Sequence, residues 1–281
     1  MTSDLRDALA ADRAVRRRAA QEAIPLDAGL AVRHPELHDV HYLNAVLLDA
    51  GTPQPSAAEV AALADRWLGD LAHRHVVFDD AAAGERAAAQ LTGAGWERGR
   101  TVFMGFAGDP TAVTLDGRAR AISEEEMEAL QLASLRDQAL EIDAAGGLAA
   151  RLLATQRRLR ETTPACCFGA GEPYAELAST CTLFLDPDIG GRRVAMLTDV
   201  ATRVAHRERG LARAVVSAAV SHAGAWGADV IVVGADADDW PQLLYAALGF
   251  DALGRQVALT RRIRRQGGAG WAGSDFMSGG V

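Results

Sequence analysis

The stretch from Arg193 to Phe250 leaves this chain few folds to choose from. AMLTDVAT reads as a strand and RVAHRERGLA as a basic turn ending on glycine. Leu211, Val215, Ala219 and Ala212, Val216, Val220 then recur at i, i+4, i+8, the spacing of a helix with one apolar side. DVIVVGA follows as an unbroken apolar run, the pattern of a central parallel strand covered on both faces. Strand, helix and parallel strand form a right-handed crossover unit, so the fold class is α/β with a mixed sheet.

The turn carries chemistry. The first four N–H groups of a helix have no intrahelical acceptor, and the helix dipole adds partial positive charge there, so a phosphate can be held by backbone alone. Gly210 lets an anion come close to the main chain. Arg207, Arg209 and Arg213 concentrate positive charge at this one end of a chain whose net charge is −8.

Arg207-Glu208-Arg209-Gly210-Leu211-Ala212, placed after a strand, resembles the acetyl-CoA pyrophosphate motif Q/R-x-x-G-x-G/A of the GNAT acetyltransferase superfamily. DVAT before the turn and Leu244-Tyr245-Ala246-Ala247-Leu248-Gly249-Phe250 after the second strand are similar to the same superfamily in order and spacing. The resemblance implies a tandem GNAT-like acyl-CoA N-acyltransferase fold and acetyl-CoA as co-substrate, with no metal. It places the pantetheine arm along Val200, Ala201 and Thr202, and the pyrophosphate on Arg207, Glu208, Arg209, Gly210, Leu211, Ala212 and Arg213. Tyr245 matches the family's general acid, a phenol of pKa near 10 that can protonate a thiolate whose acid has a pKa of roughly 8.5. Asp238 stands where many members carry a cofactor-touching Asn, a departure that weakens that one contact.

Asp199 is the other candidate for chemistry. Alternation along AMLTDVAT puts Ala195, Leu197, Asp199 and Ala201 on one face and Met196, Thr198, Val200 and Thr202 on the other. A carboxylate among apolar neighbours must be hydrogen-bonded or at a cleft. It either takes the proton of an acceptor amine or anchors the substrate, or serves as a structural hydrogen-bonding group.

With 281 residues the chain is long enough for two domains. An internal echo supports two lobes: LTGAGWERGRTVFM lines up with LYAALGFDALGRQVAL when Gly95-Trp96 is laid on Gly249-Phe250. In that register Leu91 stands at the place of Tyr245, and the helix near Ser56 is entered without arginines or R-x-x-G spacing. The expected division is a degenerate GNAT-like lobe at 1–107, a linker at 108–113, a catalytic lobe at 114–263 and a Gly-rich flexible tail at 264–281.

Other elements are predicted from local signals. A helix over 3–22 is expected to be capped by Ser3, and two short strands to flank His34-Pro35-Glu36. Helices are expected near 56–72 and 83–92, with a strand at HVVFDD between them and closing strands in GWERGRTVFMGF. Ser123 with Glu126 makes a capping box for a helix, a second helix follows in GGLAARLLATQRRLRET, and ACCFGA and AELASTCTLFLD form a hairpin.

Composition excludes several classes. No apolar run reaches the roughly 18 residues of a membrane span, and the N-terminus lacks a signal-like apolar core, so a cytoplasmic protein without a membrane partner is expected. The acidic balance argues against nucleic acid. Cys166, Cys167 and Cys181 read as reduced core thiols. His34, His38 and His41 would share a helical face, but Pro35 opposes a helix there and no carboxylate set completes a metal site. The expected partner is a small-molecule amine, and assembly as a homodimer is left open. The alternative function is a non-catalytic acyl-CoA sensor or scaffold.

Overall fold

The structure, a computed structural model, describes residues 1–137, 147–173 and 175–263. The predicted tail at 264–281 lies outside the described residues. The first half of the chain contains α1 (Ser3–Ala19), β1 (Glu22–Leu26), β2 (Gly29–Arg33), β3 (Ala45–Leu48), α2 (Ala57–Leu68), β4 (His73–Phe78), α3 (Ala81–Leu91) and β5 (Trp96–Phe106). The second contains β6 (Ala119–Ile122), α4 (Glu124–Asp137), α5 (Leu148–Thr162), β7 (Ala165–Gly171), β8 (Leu177–Ile189), β9 (Arg192–Thr202), α6 (Leu211–Trp226), β10 (Val230–Asp236), α7 (Pro241–Ala247) and β11 (Phe250–Arg262).

Among the described residues eleven strands join one mixed sheet in the order β1-β2-β3-β4-β11-β5-β10-β9-β8-β7-β6. The last strand of each half is exchanged: β5 pairs antiparallel with β10 of the second half, and β11 pairs antiparallel with β4 of the first. Between them β5 and β11 run antiparallel from Phe250↔Phe106 to Arg261↔Trp96, with one register shift at Ala252/Gly254. Start meets end in this pair, as a local two-fold axis requires, and the echo in the sequence has the same basis. Each of the two strands is entered through a left-handed glycine, Gly95 at φ 80° and Gly249 at φ 90°. Segment 107–113 is not a loose tether, since Pro110 lies close enough to Gly224 of α6 that a Cβ there would come within 2.8 Å.

Helices cover both faces of the second half of the sheet. On one face α6 packs over Ala195, Leu197, Leu183, Ile231 and Val233. On the other, α1 and α5 pack over Phe184, Val194, Met196, Val230 and Val232. β10 is thus buried on both sides, as its apolar run requires. Leu5, Leu9 and Val15 of α1 are buried in this second cluster, each contributing about 1.5–3 kcal/mol. Ion pairs from Arg192 to Asp4 (2.7 Å) and Asp7 (2.6 Å) hold the start of α1 to the sheet.

Cap chemistry differs from expectation at one helix. Thr2, not Ser3, caps α1, its hydroxyl accepting from Leu5 N at 3.3 Å, because the extended backbone of Thr2 presents the side chain to the orphan amides. The α4 capping box is as predicted: Glu126 accepts from Ser123 N at 2.9 Å and Ser123 accepts from Glu126 N at 3.2 Å. The predicted strand pair around His34-Pro35-Glu36 is β2 and β3, joined by two short 3-10 turns. His41 from this segment stacks on His75, with ring centroids 5.4 Å apart, and lies tilted against His73 at 4.2 Å, rather than sharing a helical face with His34 and His38.

Candidate active site

β9 and β10 pair in parallel from Val194↔Val230 to Leu197↔Val233, and beyond that point they no longer pair. The wedge so formed lies between Thr198–Thr202 and Gly234–Asp236. On its other edge β9 slips register against β8 between Thr182↔Thr198 and Thr180↔Ala201. Asp199 sits in the slip with φ 57°, a left-handed conformation that Asp tolerates better than most residues.

This bulge overturns the expected alternation of faces. An extra residue on one strand reverses which side the following side chains take. Val200 therefore joins Ala195 and Leu197 in the cluster under α6, while the Asp199 carboxylate meets Gln131 of α4, whose Nε2 donates to Oδ2 at 2.5 Å. Thr180 Oγ1 donates to the Asp199 carbonyl at 3.0 Å and Ser179 Oγ to that of Ala201 at 3.1 Å, which fixes the bulged backbone from the β8 side.

Asp199 is half-buried by surface area, yet enough protein surrounds its carboxyl that burial pushes its pKa up to about 6, against the opposing pull of Arg160 and the Gln131 bond. A carboxyl poised there is ionised at neutral pH and still basic enough to accept a proton. Arg160 reaches it indirectly: Nη1 donates to Gln131 Oε1 at 3.4 Å and Nε to Glu124 at 2.7 Å. Sequence reading missed Gln131 and Arg160, because they stand on separate helices with no motif to mark them.

The turn after β9 has the predicted form. Glu208 (φ 63°) and Gly210 (φ 77°) are both left-handed, and Gly210 is the N-cap of α6. Among the described residues no side chain caps this helix. Its first backbone bond is Ala214 N to Gly210 O at 3.1 Å, which leaves the amides of Leu211, Ala212 and Arg213 without intrahelical acceptors. Arg207, Arg209 and Arg213 are exposed around them. Arg207 Nε bonds the Thr202 carbonyl at 3.3 Å and Arg209 Nη2 that of Ala205 at 3.2 Å. Arg118, also missed in the sequence, donates from Nη1 to the Arg209 carbonyl at 2.9 Å and pairs with Asp116 at 2.7 Å.

Space is not what demands glycine at 210, since an added Cβ would meet only Arg118 Nη2, at 3.4 Å. The left-handed backbone does. Gly210→Ala is expected to lower stability by about 1–2 kcal/mol, read as a shifted midpoint of urea unfolding. An unchanged midpoint would mean that the turn relaxes without strain.

Tyr245 is 1% exposed in the cluster under α6, edge-on to Phe250 at 5.9 Å. Among the described residues its hydroxyl has no hydrogen-bond partner. Burial, with the nearby Cys181 thiol, raises its pKa and keeps the phenol protonated. Asp238 is exposed and pairs with Arg100 of β5 at 3.2 Å, so the strand exchange brings a cation from the first half to this residue. Val200 and Thr202 are buried and Ala201 is partly so. The three cysteines are free; burial pushes Cys167 up to about 12 and Cys181 also up, so neither is a ready nucleophile.

Residues 132–250, which hold the bulge, the wedge, the turn and Tyr245, match the model of the Acetyltransferase (GNAT) family. They form a GNAT domain. Across the rest of the sheet, among the described residues, the likeness to GNAT proteins is one of fold. A GCN5-related N-acetyltransferase from Kribbella flavida is similar over 93% of this chain and 96% of that chain, with a TM-score of 0.57 and 20% identity. A functionally unknown conserved protein from Staphylococcus epidermidis is similar over 86% of this chain and 93% of that one, with a TM-score of 0.61 and 9% identity. At such identities the likeness is one of fold. No curated protein matches. The match of residues 132–250 to this family suggests acyltransferase activity; among the described residues no group of His, Cys, Asp or Glu is arranged to hold a metal. No helix among them is long and apolar enough to cross a membrane.

Proposed function

We propose that this GNAT protein transfers an acetyl group from acetyl-CoA directly to the amine of a small-molecule acceptor. The observation that carries the reading is the wedge itself: β9 and β10 part after Leu197 and Val233, bulged Asp199 stands on one wall, and the uncapped start of α6 lies beyond Thr202. The open amides of Leu211, Ala212 and Arg213 suit a pyrophosphate, and the open space at Gly210 suits its close approach.

In this mechanism the thioester supplies the activated acetyl group and the chain's residues handle protons. Asp199 accepts the proton of the attacking amine as the nitrogen bonds the acetyl carbon. Tyr245 donates its proton to sulfur as the carbon–sulfur bond breaks. A buried thiolate is itself a stronger base than one in water, so a phenol held neutral by burial remains able to protonate it. Holding donor and acceptor in one wedge supplies the rest by proximity.

Residues 1–107 serve in this reading as a degenerate lobe without a phosphate grip. The equivalent helix α2 satisfies its own start, with Glu59 accepting from Ser56 N at 2.8 Å and Ser56 Oγ accepting from Glu59 N at 3.4 Å, so a carboxylate already occupies the place an anion would take. Residues 114–263 form the catalytic lobe, cytoplasmic and acting on a soluble acceptor.

Tyr245→Phe is expected to keep acetyl-CoA affinity within a few fold while turnover drops roughly 10–1,000-fold. Calorimetric titration and thiol release from acetyl-CoA with a panel of amines measure the two. Turnover equal to the parent protein removes Tyr245 from the mechanism. Saturable acetyl-CoA binding with no amine consumed would favour a sensor instead.

A further inference from the structure

Beside Asp199 lies a set of buried polar atoms that the proton transfers do not use. Arg160 is 7% exposed, and among the described residues its Nη2 has no hydrogen-bond partner. The hydroxyls of Thr182 (0% exposed) and Thr198 (9%) also lack one among the described residues. Buried polar groups in folded chains are almost always paired, so three orphans in one place call for a common cause.

They are in one place. Thr182 pairs across strands with Cys167 on one side and Thr198 on the other, so the three form a row across β7, β8 and β9. Leu183, the neighbour of Thr182, packs under α6, while Phe184 packs with α5; Thr182, alternating with Leu183, therefore faces the α4 and α5 side. Arg160 comes down onto that side from α5. Its partner Glu124 also faces Cys167, whose Sγ lies 3.9 Å from Oε1, and its Nη1 bonds Gln131. Gln131 closes the circuit, because its amide nitrogen bonds Asp199 while its oxygen bonds Arg160.

A single carboxamide therefore separates an anion, Asp199, from a cation already paired with Glu124 through Nε, whose Nη2 alone is left without a partner among the described residues. A planar guanidinium prefers a carboxylate as partner, and two unpaired hydroxyls supply further donors to its oxygens. We infer that this cluster of unpaired groups takes the carboxylate of the acceptor on Arg160 Nη2, Thr182 and Thr198, so that the acceptor is a short amino-carboxylate of α-amino acid size with its amine beside Asp199. The inference rests on the proposed acetyl transfer and names its substrate class.

The test compares the twenty common L-amino acids with their α-amides, using acetyl-CoA consumption by the full chain. At least one amino acid should exceed its own amide about 100-fold or more in kcat/KM, because a site built to bind a polar group rejects the analogue without it. Thr182→Val and Thr198→Val, which remove an orphan hydroxyl at nearly constant shape, should keep the melting temperature and raise KM for that amino acid about tenfold with kcat little changed. Arg160→Gln should bring the amino acid down to the level of its amide while acetyl-CoA affinity is kept. Amides acetylated as well as acids, or threonine variants with parental KM, overturn the carboxylate site and leave acetyl transfer standing. Binding gives a second reading that does not need turnover: millimolar amino acid should raise the melting temperature of the parent protein but not of Arg160→Gln. No shift with any amino acid overturns the site too, whereas a shift without acetylation supports the site and refutes the transfer.

Discussion

Cut away from the rest of the chain, residues 1–107 should fail to fold. β5 is flanked by β11 and β10, both from the second half, so in the fragment its eleven residues lose every strand partner. β4 loses β11 and becomes an edge. α1 loses the surface of β8, β9 and β10 against which Leu5, Leu9 and Val15 are buried. At about 1.5–3 kcal/mol each, those three side chains alone match a large part of a small domain's net stability of roughly 5–15 kcal/mol. The fragment should show no cooperative thermal transition by circular dichroism. Co-expressed with residues 108–281, it should be recovered as a complex that melts cooperatively. A fragment that melts sharply alone would show the strand exchange to be dispensable.

This expectation also marks where the sequence stops being informative. The β9-α6-β10 unit was legible because each device in it is local: helical spacing, a glycine turn and an apolar strand follow one another directly. The echo of Gly95-Trp96 in Gly249-Phe250 was legible for the same reason, and it correctly located two related strands. Their exchange was not, because β5 has the same alternation whether it pairs with β4 or with β10, and only the three-dimensional register decides.

The site divides in the same way. Gly210 and its arginines announce themselves within six residues. Asp199 was visible as an anomaly, but its face was misassigned, because a bulge leaves no mark in the pattern when the extra residue is an aspartate and not a glycine. Gln131, Arg160 and Arg118 come from remote elements and acquire meaning only through contacts, Arg118 by bonding the carbonyl of Arg209.

Asp199→Asn should give a protein that is slower and sturdier. Asparagine accepts the left-handed backbone at φ 57° and can still take a bond from Gln131, so the bulge should survive. It cannot take a proton from an amine, and turnover should fall by about 10²–10⁴-fold. The stability change follows from the raised pKa. Below the ordinary value of 3.8 the carboxyl is protonated in both folded and unfolded chains. Between 3.8 and about 6 the folded chain holds the extra proton, so stability falls as pH rises, and above about 6 the full penalty of a buried charge remains. That penalty is at most about 3 kcal/mol at 1.36 kcal/mol per pH unit. Urea unfolding at pH 8 should therefore favour the variant by up to that amount, with the advantage shrinking by pH 5. In the parent protein kcat/KM should climb through a limb near pH 6 that the variant lacks. A variant less stable than its parent at pH 8 would mean that the carboxylate is held by its neighbours rather than opposed by burial, and a limb that persists without Asp199 would assign the proton to another base. If both results are as expected, the chain keeps at this position a charge its fold would be more stable without, and accepting a proton from the acceptor is a use that accounts for it.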